Sequence, residues 1–377
     1  TILRQNNNIL HWLLKNAKYK IPIHDKNKAD DSALILAMKC KNLVVLKTLL
    51  ETYGKYLDMN TRNMNGDTAL FIALKQNNEP IQRLKLINEF HHQIDINAID
   101  RNGDTALLLA LKSPYALQMV PLLVAKYHQS ININYKSCYN RQYNLYDTAL
   151  FLAIKHPESI SLVPYLLSYF RDTIEINYRD SQGFSALLLA LLCENGLHLA
   201  LSLIEYCADK ININLTSDDG DAALLLAFHN RYARYIIPLL VNTYGNKINI
   251  NHANRSGNTA MLLSIRERTV GMHILPLLIS QYGPQIDINH HNNIGDTALL
   301  LALKSENAFC LVKILLEYYS EFIDINYRSK YNDTALSIAV FQSNEAPQIL
   351  ELILEAFDNK IKVSNSTMFF TFYGAYK

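Results

Sequence analysis

The sequence of 377 residues predicts an all-α solenoid of helix-turn-helix repeats with short hairpin tips, about 37 residues per repeat. Two repeated phrases carry that prediction. The alanine of a Thr-Ala-Leu phrase, or its equivalent, recurs at Ala33, Ala69, Ala106, Ala149, Ala186, Ala223, Ala260, Ala298 and Ala335, at spacings of 36, 37, 43, 37, 37, 37, 38 and 37. A second phrase, Ile-Asp-Ile-Asn or a close variant, ends at Asn60, Asn97, Asn134, Asn177, Asn214, Asn251, Asn289 and Asn326 in step with the first. A third observation is the apolar spacing inside each period, which is helical twice and alternating only over four residues.

The unit from Gly295 to Asn326 shows each element in order. Asp296 or Thr297 stands before an apolar run, and either can cap a helix by accepting a backbone N–H bond. Ala-Leu-Leu-Leu-Ala-Leu-Lys is about two turns long, and Ser305-Glu306-Asn307 ends it. The next segment, Ala308 to Tyr319, is a second, amphipathic helix. Ile323 to Asn326 alternates and leads to a turn that in most repeats contains glycine. Such a unit is too small to bury its apolar faces alone, so stacked copies must bury them on each other. Phe71, Leu108, Phe151, Leu188, Leu225, Leu262 and Leu300 recur at one position and are expected in the core between repeats. The constant asparagine is expected to bond its local backbone.

Gly-x-Thr-x-Leu opening the first helix, and Leu-Leu before Val/Ile-Asn closing the second, resemble the ankyrin repeat over nearly the whole chain. The period is longer than that family's usual ~33 residues, with the surplus mainly after the second helix. The family's Thr-Pro-Leu-His becomes Thr-Ala-Leu-Leu or Thr-Ala-Leu-Phe, which removes a proline suited to the first helical position. The repeat register divides the chain into a partial repeat (1–24), nine repeats (25–364) and the start of a half-repeat or cap (365–377). Both ends fall inside a unit and the chain begins at Thr1, which reads as a fragment or a processed product. Pro121, Pro164, Pro238 and Pro276 share one solvent-facing position in the second helix, which is expected to kink there or to begin late.

Composition excludes several functions. With 36 basic and 34 acidic residues the net charge is +2, which points neither to nucleic acid nor to an anionic membrane. Five scattered cysteines without a CxxC pair fit free thiols in a reducing, cytoplasmic compartment. No apolar run has transmembrane length. No nucleophile, phosphate-loop or metal signature appears, so the array is expected to be non-catalytic, with no cofactor and no metal; His91-His92 and His290-His291 read as exposed loop histidines.

What remains is recognition, and the repeats themselves show where. The residue after the constant asparagine varies, and stacking should align these positions in a row along the hairpin tips. Tyr135-Lys136, Tyr178-Arg179 and Tyr327-Arg328 place a tyrosine beside a cation there, and His252 and His290 occupy the same place in two other repeats. Tyrosine and arginine are enriched at interface hot spots. The fourth repeat also carries six extra residues and has Tyr146 where others have a turn glycine, so the loop 135–146 must be rebuilt. It adds Tyr139, Arg141 and Tyr143 to the candidates. The sequence therefore predicts a monomeric scaffold that binds a partner protein through its tips, its concave face and this loop. Ankyrin arrays in AT-rich genomes, which the Asn-, Ile-, Lys- and Tyr-rich composition suggests, resemble effectors of intracellular bacteria, and that resemblance implies a host protein as partner and the host cytosol as setting. A rival reading makes the array the targeting part of a larger enzyme whose catalytic domain is outside this chain.

Overall fold

The computed structural model describes residues 23–39, 43–76, 80–136, 147–341, 345–357 and 360–361, without the side chains of residues 268 and 269. Residues 1–22 of the expected partial repeat (1–24), the whole of the expected C-terminal half-repeat (365–377), and the loop positions Tyr139, Arg141 and Tyr143 lie outside the described residues. Among the described residues eighteen α-helices follow one another in nine pairs and no strand forms.

The chain divides into two compact units, Thr1–Ser181 with Ser202–Cys207, and Gln182–Leu201 with Ala208–Lys377. The first contains α1 (Ala33–Lys39), α2 (Leu43–Tyr53), α3 (Ala69–Lys75), α4 (Pro80–Asn88), α5 (Ala106–Leu111), α6 (Ala116–Tyr127), α7 (Ala149–Lys155) and α8 (Val163–Phe170). The second contains α9 (Ala186–Leu192) and the start of α10 (Gly196–Cys207), whose residues Ser202–Cys207 belong to the first, and continues through α11 (Ala223–Ala227), α12 (Ala233–Tyr244), α13 (Ala260–Arg266) and α14 (Arg268–Tyr282). It ends with α15 (Ala298–Leu303), α16 (Ala308–Tyr319), α17 (Ala335–Phe341) and α18 (Ala346–Phe357).

Within each unit first helices pack on first helices and second on second: α1, α3, α5 and α7 in one, α11, α13, α15 and α17 in the other. The first helices are short and apolar on every side because neighbours cover both flanks. In α3, Ala69, Leu70, Phe71, Ile72, Ala73 and Leu74 are all buried, and only Lys75 is not. Alanines such as Ala73 and Ala110, with no exposed surface, let adjacent helices approach closely. Phe71, Leu108, Phe151, Leu188, Leu225, Leu262 and Leu300 are buried between repeats as expected; each such side chain contributes roughly 1.5–3 kcal/mol.

The second helices bury one stripe. In α16 it is Ala308, Leu311, Val312, Leu315, Leu316 and Tyr319, the spacing of a helical face. The last of these belongs to a column of ring side chains: Tyr127, Tyr282 and Tyr319 sit at one repeat position and reach back to the preceding repeat. Tyr127 donates to Asn88 Oδ1 at 3.3 Å, Tyr282 to the Gly245 carbonyl at 3.0 Å and Tyr319 to the Gly283 carbonyl at 3.1 Å. Burial pushes the Tyr319 hydroxyl up to about 12, so it stays a neutral donor.

Of the four prolines, Pro164 makes its helix begin late, at Val163 after the turn Ile160–Leu162. The other three differ: α6, α12 and α14 run through Pro121, Pro238 and Pro276. Packing of the stripe outweighs the lost backbone bond there.

Candidate functional site

Threonine, not aspartate, caps the first helices. Thr297 Oγ1 accepts from the Leu300 N–H at 3.4 Å, and Thr68, Thr105 and Thr259 repeat the contact. The neighbouring aspartate instead pairs with the lysine that ends the helix: Asp296 with Lys304 at 2.6 Å, Asp104 with Lys112 at 2.7 Å, Asp31 with Lys39 at 2.7 Å. Some of these lysines also reach the next repeat. Lys75 lies 2.7 Å from Asp67 and 2.8 Å from Asp100, whose side chain is fully buried. Burial alone would raise the Asp100 carboxyl, but the hydrogen bond and charge of Lys75 and the amides of Asp104 and Asn102 outweigh it and hold it below the ordinary 3.8.

The Ile-x-Ile-Asn phrase is a turn rather than an extended strand. Its isoleucines point inward, as Ile96, Ile133, Ile250 and Ile288 show. Its second residue accepts from the asparagine N–H two positions on: Asp95 Oδ1 from Asn97 at 3.1 Å, Asp324 Oδ1 from Asn326 at 3.0 Å. The constant asparagine side chain does not serve local backbone. It spans to the following repeat, and this corrects the expectation from sequence. Asn97 Nδ2 donates to the Ser130 carbonyl at 2.7 Å while its Oδ1 accepts from the Asn132 N–H at 2.8 Å. The same two bonds recur from Asn60 to Gln93 and Asp95, and from Asn134 to Thr173 and Glu175. In the second unit they recur from Asn214, Asn251 and Asn289. Each of these asparagines thus acts as a peptide group turned sideways, and within each unit they form a ladder.

Beyond the ladder the tip turns are closed by their own side chains. Asn292 Oδ1 accepts from Ile294 at 3.0 Å and Asp296 at 2.9 Å, and Asn63, Asp100 and Asn254 do likewise. Such a turn needs a left-handed residue. Gly66, Gly103, Gly257 and Gly295 supply it, and in the last repeat Asn332 takes φ 65° in glycine's place. Tip backbones also bond each other, Arg255 N–H to the Asp219 carbonyl and Asn293 N–H to Ser256, both at 3.0 Å.

The candidate residues occupy this frame unequally. Tyr178 is half-buried, edge-on to Phe151 at 5.6 Å, with Lys136 Nζ 4.3 Å from its ring centre. Tyr135 is half-buried, and Lys136 and Arg179 are exposed. His252 Nε2 lies 2.7 Å from the Gly220 carbonyl and His290 Nε2 3.0 Å from that of Gly257, so each ring donates to the preceding turn. Tyr327 stacks on His291 at 5.8 Å, and burial followed by the Asp296 carboxylate raises its hydroxyl. Arg328 is exposed and donates to Asn332 Oδ1 at 3.0 Å.

Two exposed side chains were missed from sequence. Ile294 and Tyr331, 53% and 73% exposed, directly precede the left-handed residues Gly295 and Asn332. The signal was available: the other tips carry polar Asn65, Asn102, Gln182, Asp219 or Ser256 at that position. No group of three or more His, Cys, Asp or Glu with metal-binding geometry occurs among the described residues.

A family model described as ankyrin repeats (3 copies) matches residues 55–137 and 270–365. Among solved structures, the chain is similar to the ankyrin repeat domain of Bcl-3, of the IkappaB protein family, at 22% identity over 66% of this chain and 99% of that chain, with a TM-score of 0.48. It is also similar to an ankyrin repeat domain from Acinetobacter baumannii AYE, at 25% identity over 55% of this chain and 96% of that one, with a TM-score of 0.43. A search of curated protein sequences found no match.

Proposed function

Because this chain is an ankyrin-repeat protein, built of units that generally serve protein–protein interaction, we propose that it is a non-catalytic scaffold gripping a partner protein along its hairpin tips. The observation that carries this reading is a division of labour at the tips. Residues constant between repeats are consumed in the asparagine ladder and the lysine–aspartate pairs, while the variable positions beside them stay at the surface. Lys136, Arg179 and Arg328 are exposed, next to half-buried Tyr135, Tyr178 and Tyr327, and Ile294 and Tyr331 add apolar area to the last tips. A tip held by so many bonds loses little freedom when a partner docks, and aromatic and arginine anchors then supply most of the affinity. Composition rich in Asn, Ile, Lys and Tyr supports a setting as an effector of an intracellular bacterium, acting on a host protein in the host cytosol.

The test is affinity capture from eukaryotic lysate with the parent chain and with Arg179→Glu/Arg328→Glu, both substitutions lying on exposed side chains. The expected result is a specific captured protein whose affinity falls at least about tenfold in the variant, with unchanged helical circular dichroism. Equal capture by both chains would contradict the tip reading.

A further inference from the structure

A groove of about 440 Å³ opens in the second unit between α14 and α16, lined by none of the candidate tip residues. One wall is Pro276, Ile279 and Pro284; the other is Ile314, Tyr318 and Phe322. The neighbouring second-helix pairs, α12 with α14 and α16 with α18, are packed together in the same unit. The floor is pinned by Tyr319, which is buried and donates to the Gly283 carbonyl at 3.1 Å. Large apolar side chains are left at the rim: Tyr318 is 56% exposed and Phe322 61%. In the first unit Tyr56, at the position equivalent to Phe322, is likewise exposed at 60%.

Charge decides what such a groove takes. From Val270 to Gln285 its first wall has no Asp, Glu, Lys or Arg. The single charged lining residue is Glu317, and Glu321 lies one turn further along; both carboxylates are exposed and neither makes an ion pair among the described residues. Lys313, one turn before Glu317, is the nearest cation in sequence and makes no ion pair with it, whereas the equivalent Lys47 and Glu51 approach to 3.8 Å. An apolar trough with a carboxylate lip complements an apolar side chain next to a cation. Its volume suits one or two anchor side chains, at the small end of ligand-binding clefts.

We propose that this groove docks a short peptide segment of a partner protein presenting a bulky apolar side chain beside an arginine or lysine. The apolar anchor seats between Ile279 and Phe322, and the cation pairs with Glu317. This site is separate from the tip row and does not depend on it.

The test is fluorescence anisotropy with the full chain and fluorescein-labelled heptapeptides carrying Arg next to Leu, Ile, Phe or Trp, each with a Glu-for-Arg counterpart. At least one Arg peptide should bind, and its counterpart should bind at least about tenfold more weakly. Glu317→Lys should reverse that preference, Phe322→Ser should weaken binding at least about tenfold, and Arg179→Glu/Arg328→Glu should leave it unchanged. Glu317 and Phe322 are exposed, so both variants should keep the parent circular dichroism. The proposal is overturned if no Arg peptide binds, if binding is indifferent to both groove variants, or if sedimentation shows that the parent chain self-associates and Phe322→Ser does not, which would make a second copy the occupant.

Discussion

Asn97 links its repeat to the next through a single side chain, holding a carbonyl and an N–H of that repeat at 2.7 and 2.8 Å. Its surroundings are exposed, so water competes and each bond is worth roughly 1 kcal/mol. Asn97→Ala should therefore lower the unfolding free energy by about 1–2 kcal/mol in urea titrations, and Asn97→Asp should do at least as much, because its carboxylate would face the Ser130 carbonyl. That the asparagine is structural was legible from its constancy. Its partner was not, because the period identifies equivalent positions without saying which of them touch. The Lys75–Asp100 pair was hidden for the same reason. Asp100 has a depressed carboxyl in the folded chain, so its stabilisation is present above the ordinary 3.8 and lost as pH falls through the lower folded value. Lys75→Met should cost about 3 kcal/mol at neutral pH, because it leaves the Asp100 carboxylate buried without its cation, and progressively less in acid, as urea titrations across pH would show. Arg83 lay further beyond reading: it is fully buried where other repeats carry Val120, Ile237 or Val312, and it donates to the Met38 carbonyl near the end of α1.

Element boundaries followed from local chemistry and were the most readable part. Thr-Ala-Leu marks the start of each first helix because threonine caps it, and the alternating isoleucines mark the inward side of each turn. Sequence left the cap open between Asp296 and Thr297; the distant end of the same short helix settles it, since Lys304 takes the aspartate. The prolines behaved less uniformly than their common position suggested. Only at Pro164 does the helix start late, and Pro121 sits well inside α6 without an N–H for the Leu117 carbonyl. Pro121→Ala should restore that bond and raise stability by about 2 kcal/mol, partly offset by a freer unfolded chain. The turns carry the opposite constraint. At Gly257, with φ of 75°, a Cβ would lie 2.8 Å from the Asn293 nitrogen that bonds the Ser256 carbonyl. Gly257→Ala should cost about 2 kcal/mol by thermal or urea unfolding.

At the scale of the molecule, each unit is a stack whose stability is nearly a sum of repeats and the interfaces between neighbours. Repetition made the core and the candidate tips legible in advance, since what is constant serves the stack and what varies is left for other purposes. It could not show that His252 and His290 turn back onto the preceding glycine carbonyls, nor that a groove opens between α14 and α16, because both depend on contacts between repeats. The claim that unites these levels is that the variable tips are the partner-binding surface. Hydrogen–deuterium exchange on the complex obtained by affinity capture tests it most directly. Protection is expected at the tip segments 178–183, 252–257, 290–295 and 327–332, with the second helices α6 and α12 unchanged; protection confined to the helices, with the tips exchanging as in the free chain, would contradict it.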